Sequence, residues 1–138
     1  MNKYIHMILE PYIVGAYAMG IFIIIQRLKI NIFLALFITG FLKHFLGYIS
    51  GLHTYYCNNG TACYRNIYQP STTAVISTNA IISESCIEGV VFVLLGYIYS
   101  ITKNKITFIT VFIFGIVLHI LSEYFGIHHE FCKRCLET

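Results

Sequence analysis

Glu10, Lys43, His44, Glu84, Glu88, His119 and Glu123 lie within or at the edge of strongly apolar stretches of this chain. An ionisable side chain in a membrane span costs several kcal/mol on even the lenient scales (about 3) and is retained only where it has a task. Glu84 and Glu88 are four apart on one stretch, as are His119 and Glu123 on another. On a helix each such pair shares a face. Three chemistries fit these residue types. Glu-x3-Glu facing His-x3-Glu supplies three carboxylates and an imidazole, with His44 as a fifth ligand, and mixed N and O donors suit Zn, Mn or Fe. Carboxylates crowded in a low-dielectric pocket also suit general acid/base work or a proton relay, with Glu88 and His119 as the deepest members. In the third, Lys43 and His44 neutralise Glu84, Glu88 and Glu123 in a structural ion network.

The elements that must carry these groups are read from hydropathy. Apolar residues make up 57% of the 138 residues and charged residues 11%, against about 25% charged in a soluble domain. Mean hydropathy is +0.73. Four apolar stretches cover residues 4–26, 30–52, 80–101 and 106–127. Each is near the ~20 residues that cross a ~30 Å hydrocarbon core as a helix, the open-ended element that satisfies its own backbone in lipid. The expectation is a single membrane domain over 1–138, an all-α antiparallel bundle of four transmembrane helices. Two short connections make tight hairpins. A long polar loop, 53–79, holds Pro70 and the Asn58–Gly60 turn signal, and a short tail follows from 128 to 138. No repeat of motif length is evident. Ala16-Tyr17-Ala18 has the look of a cleavage site, but the apolar run continues through Ile25 and Glu10-Pro11 interrupts it, which reads against a signal peptide.

Depth counting places the polar groups in one half of the bundle. His44, Glu88 and His119 each lie about eight residues in from the same side, roughly 12 Å at 1.5 Å per residue. Glu84 and Glu123 form a layer one turn further out, with Glu10 near it and Lys43 at the pocket. Gly40, Gly47 and Gly51 share an arc with His44, and Gly115, Ser122 and Gly126 lie on the face of His119. Small residues mark where membrane helices approach closely, so both histidines should point into the bundle. The expected result is a Glu/His pocket open to one side over an apolar floor.

The arrangement of Glu84, Glu88, His119 and Glu123 resembles the site of cation-diffusion-facilitator zinc transporters, where two acids four apart on one helix face a His and an acid four apart on another. The resemblance covers those four positions. That family has six spans, and this chain has Glu for its usual Asp.

Cys57 and Cys63 in the long loop and Cys132 and Cys135 in the tail fall on the pocket side. Two disulfides there would staple the loop and the tail. Lys133 and Arg134 between the tail cysteines favour a reactive thiolate, so a redox role is a second option. The four-span outline resembles membrane oxidoreductases of the DsbB and vitamin K epoxide reductase types, although in the latter the C-x2-C opens a helix and here it follows one. A Zn site of these cysteines, with His53, His128 or His129, is a third option at a spacing that matches usual zinc sites weakly. Cys86 is the odd cysteine and reads as a small packing residue. Tyr12, Tyr48, Tyr55 and Tyr56 read as interface anchors.

Basic residues concentrate in the two hairpins, as Arg27, Lys29, Lys103 and Lys105, which favours a cytoplasmic location for them. Termini and long loop are then lumenal or extracellular, consistent with paired cysteines and with a glycosylation sequon at Asn59. The net charge of +3 forms no basic stripe, so nucleic-acid binding is excluded as an expectation. The partner is the lipid bilayer, and a homo-oligomer with its pocket between subunits is also compatible. The functional expectation is a multi-pass membrane protein whose Glu/His pocket binds a metal or relays protons, as an enzyme or carrier. A membrane thiol-disulfide oxidoreductase and a structural membrane or envelope protein with stapled loops stand as alternatives.

Overall fold

The computed structural model describes residues 3–59, 78–102 and 104–127, with side chains 3–7 and 57–59 outside the description. Every element among these residues is a helix: α1 Lys3–Gln26, α2 Ile32–Ile49, α3 Leu52–Asn59, α4 Thr78–Ile101 and α5 Phe108–Tyr124. Three of them, over Ile8–Gln26, Ile32–Ile49 and Thr78–Ile101, are long and apolar enough to cross a membrane. Their outward surface agrees. Ile24, Leu34, Leu94, Ile98, Ile113 and Ile120 are exposed on the protein, an apolar area far larger than a water-facing monomer carries. The chain has the character of an integral membrane protein. α5 is apolar but shorter than the other three.

Local chemistry sets the helix ends. Asn31 caps α2, its side chain accepting from the Phe33 N–H. Thr107 and Thr110 form a reciprocal capping box at the start of α5, satisfying donors that the first turn leaves open. α2 stops sooner than its hydropathy implies. Ser50 closes it, and Gly51 takes φ +75, the left-handed conformation that glycine adopts without a Cβ clash. The chain then turns into α3, so the segment expected as the start of a loop is a helix. Gly126, with φ +73, ends α5 in the same way, and α5 stops at Tyr124 rather than near residue 127.

The helices meet in two close antiparallel pairs, α2 with α4 and α1 with α5, joined by a lesser α1–α2 contact, while α3 leans on α2. Glycines allow both close pairs. A Cβ on Gly40 would lie 2.7 Å from the Glu88 carbonyl oxygen, and one on Gly115 would lie 2.8 Å from the Gly15 Cα. Ala18, Phe22, Ala35, Leu36, Phe92, Val111 and Phe114 fill the core. Consecutive helices α4 and α5 are therefore not the closest partners, although the short connection between them made a tight hairpin the expectation.

Candidate functional site

Lys43 and His44 sit one turn beyond Gly40, and Glu88 sits beside Gly89, so the glycine crossing brings them face to face. The Lys43 ammonium donates to Glu88 Oε1. The two ring nitrogens of His44 face two different carboxylates, Nδ1 at 2.9 Å from Glu88 Oε2 and Nε2 at 3.2 Å from Glu84 Oε2. Both contacts are hydrogen bonds together only when each nitrogen carries a proton. The Tyr48 hydroxyl donates to Glu84 at 3.3 Å, and Lys43 stands 6.0 Å from the Phe92 ring centroid. An ammonium, an imidazole, a phenol and two carboxylates thus form a network between α2 and α4.

A second cluster lies between α1 and α5. His119, 7% exposed, presents Nε2 to Glu10 Oε2 at 3.8 Å, beyond hydrogen-bond length. The Tyr56 ring meets His119 edge-on with centroids 6.2 Å apart. The charges of Glu10 and Glu123 act on the Tyr56 phenol, which burial first and these carboxylates second push well above its ordinary pKa.

α3 lies over both clusters. Tyr56 reaches His119, while His53, one turn earlier, stacks on Tyr48 with ring centroids 3.8 Å apart and meets His44 edge-on at 4.8 Å. Burial, then the charge of His44, lowers the His53 pKa to about 4, with Lys43 adding to the shift and Glu88 and Glu84 opposing it. His53 is therefore neutral in the folded protein at pH values where the unfolded chain already protonates it. Its contribution to stability is complete above pH 6.5 and is lost as pH falls from there toward 4. The difference is on the order of 3 kcal/mol. Thermal unfolding in mild detergent should therefore weaken over that window more in the wild type than in His53→Phe, which keeps a ring against Tyr48. Parallel pH profiles for the two proteins would show that His53 does not carry the effect.

The ionisable residues expected at the pocket do gather at one end of the helices, but as two groups. Glu84, Glu88, His44 and Lys43 belong to the α2–α4 group. Glu10 and His119 meet between α1 and α5, with Glu123 near Tyr56. Among the described residues, no group of three or more His, Cys, Asp or Glu is arranged to hold a metal ion. At Glu88 the Lys43 ammonium takes the place a metal cation would need. The expected layers also merge. His44 reaches Glu84 and Glu88 together, because a glutamate side chain spans about one helical turn, and Glu10 pairs with His119 rather than with the outer layer.

Tyr48, Tyr56 and His53 belong to the site, whereas the sequence read the tyrosines as interface anchors and His53 as a loop residue. The available signal was Gly51, a break that starts a new helix and places His53 and Tyr56 three apart on one face. Cys86 is a half-buried free thiol. Cys57 and Asn59 lie in α3 with their side chains outside the described residues, as do Cys63, Cys132 and Cys135 entirely, so the disulfide, redox and glycosylation expectations fall there. Comparison of the chain with family models, with curated proteins and with solved structures finds no match.

Proposed function

We propose that the chain is a four-span membrane protein carrying an acid/base site, Glu10–His119, in a pocket that opens toward the face bearing α3. The fourth span is α5, which runs antiparallel to α1 and at ~1.5 Å per residue approaches the hydrocarbon thickness. The basic connections before α2 and α5 face the cytoplasm, and α3 faces the lumen or exterior. One observation carries the reading. His119 is buried on α5 with Nε2 3.8 Å from the Glu10 carboxylate of α1 and the Tyr56 ring edge-on to it. Acid/base pairs are commonly long without substrate and shorten once it binds. On closure, one proton passes between His119 Nε2 and the Glu10 carboxylate, converting imidazolium and carboxylate to imidazole and carboxyl, and it returns by the reverse step. Tyr56 covers the ring and keeps bulk water off it. The Lys43–His44–Glu84–Glu88 network holds α2 to α4.

A metal-binding pocket finds less support, because Lys43 lies on the carboxylate that would be a central ligand. The thiol-disulfide reading rests on Cys57, Cys63, Cys132 and Cys135 in the sequence and draws nothing from the described side chains.

The test uses a membrane-permeant apolar carbodiimide, which adds across a protonated carboxyl. Peptide mapping of vesicle-reconstituted protein should place the adduct on Glu10, with at least about tenfold slower reaction at Glu84 and Glu88, whose oxygens are engaged by Lys43, His44 and Tyr48. His119→Ala should change the Glu10 rate by a similar factor, and Glu10→Gln should remove the adduct. Equal reaction at all three glutamates, or none at Glu10, would sink the reading.

A further inference from the structure

Several residues recur in register between the two halves of the chain. Glu10, Ile13 and Gly15 of α1 correspond at one constant offset to Glu84, Ile87 and Gly89 of α4. Phe37, Gly40, His44 and Gly51, in and just after α2, correspond at an offset one residue longer to Phe112, Gly115, His119 and Gly126, in and just after α5.

The geometry follows the same correspondence. A Cβ on Gly15 would meet the Phe112 carbonyl oxygen at 2.7 Å, and one on Gly89 would meet the Phe37 carbonyl oxygen at 2.8 Å. A Cβ on Gly40 would meet Gly89 Cα, and one on Gly115 would meet Gly15 Cα. Glu84 faces His44, and Glu10 faces His119. Gly51 and Gly126 both take positive φ. Burial repeats as well. The buried residues of α4, Ser85, Gly89, Phe92 and Gly96, correspond to Pro11, Gly15, Ala18 and Phe22, all buried in α1. Replacing α1 by α4 and α2 by α5 carries the α1–α5 pair onto the α4–α2 pair.

We infer that the chain is a tandem duplication whose halves exchange helices, so that Glu10–His119 and Glu84–His44 are two copies of one site, the second closed by the Lys43–Glu88 ion pair. Parallel repeats of this kind are related by an axis along the membrane normal. The positions equivalent to Lys43 and Glu88 are Leu118 and Val14, so one copy carries a charge pair where the other carries an apolar pair. Each pair is complete in itself, and neither copy holds half of one. The ion pair fixes Glu88 on Lys43 and leaves Glu88 Oε2 to hold His44 Nδ1. The histidine of the α2–α4 copy is therefore fixed by the ion pair, whereas the α1–α5 copy has Leu118 and Val14 at the equivalent positions. Lys43 and Glu88 are positioning residues that silence a site, and the acid/base task falls to the other copy.

This inference rests on the acid/base reading for its functional part and on geometry for the rest, and the test separates them. Two double variants exchange the pairs: Lys43→Leu with Glu88→Val, and Val14→Glu with Leu118→Lys. Both should fold, with melting temperatures in mild detergent within about 8 °C of the wild type, since each installs a pair that the equivalent position already accommodates. The carbodiimide maps should then interchange. In the first variant Glu84 should gain at least tenfold in reactivity, to a rate near that of Glu10. In the second, Glu10 should lose it by the same factor. Failure of either double variant to fold overturns the equivalence of the halves. Folding of both with an unchanged map overturns the silencing role. A wild-type Glu10 that does not react at all overturns the acid/base reading, and the folding of the exchanged pairs still decides the duplication.

Discussion

Gly40→Val should separate α2 from α4 and sharply lower the yield of folded protein. The first added carbon would fall 2.7 Å from the Glu88 carbonyl oxygen, 2.9 Å from the Gly89 Cα and 2.9 Å from Phe92 Cδ2. Two of these three neighbours are backbone, which cannot rotate aside. Relief requires the helices to part, and parting also stretches the Lys43–Glu88 and His44–Glu88 contacts one turn away. Overpacking alone costs ~1–3 kcal/mol. Loss of the adjoining ion network brings the total to about 4–5 kcal/mol, a value seen only with a named mechanism of this kind. Gly20→Val is the matched control. It sits in the same class of apolar helix, but no atom lies within 4 Å of its added Cβ. The expected thermal shift there is within about 2 °C in detergent. Equal losses in the two variants would show that helix propensity, not the crossing, decides the outcome. Gly115→Val should behave as Gly40→Val does, because its Cβ would meet Gly15 Cα and the Val14 carbonyl oxygen.

These crossings also explain what the sequence could and could not reveal. Apolar length located α1, α2 and α4, because lipid imposes that length whatever the partners are. The glycine arcs correctly turned His44 and His119 toward neighbouring helices. Residue counting along a helix gives height, however, and says nothing of which helix stands opposite. Glu84, Glu88, His119 and Glu123 were placed at compatible depths and so read as one ligand set, while the crossings Gly40–Gly89 and Gly15–Gly115 assign them to two different helix pairs. α3 was missed because Gly51 reads as one more small residue on a glycine arc until its φ is known. The duplication was hidden because the core exchanges volume between halves. Ala18 answers to Phe92, and Phe22 to Gly96, so the residues that identify a repeat by similarity are those that packing required to diverge. What persists is Glu, Gly and His at the crossings, too sparse to be noticed without the contacts that align them.

Lys43→Leu alone should be among the most damaging substitutions at the site, in contrast to its pairing with Glu88→Val. Removing the ammonium leaves Glu88, with a side chain only 17% exposed, against the single remaining contact at His44 Nδ1. Breaking a buried pair by deleting one partner typically costs ~3–5 kcal/mol, since the residual charge keeps its desolvation penalty without its compensation. Lys43 also loses its position over the Phe92 ring, 6.0 Å from the centroid, worth ~1 kcal/mol or less in partly exposed settings. The bilayer sharpens the cost, because no water enters the hydrocarbon region to solvate what is left. Lys43→Arg is the informative companion. Its guanidinium keeps the charge but is planar and longer, so it should recover part of the loss without restoring the wild-type melting temperature. Melting temperatures of the wild type, Lys43→Leu, Glu88→Val and the double variant, measured in one detergent, form a cycle. Coupling between Lys43 and Glu88 appears as a double variant more stable than Lys43→Leu itself. If the double variant is instead less stable by the sum of the two single losses, the pair is two independent surface charges and the α2–α4 network does not hold the helices together.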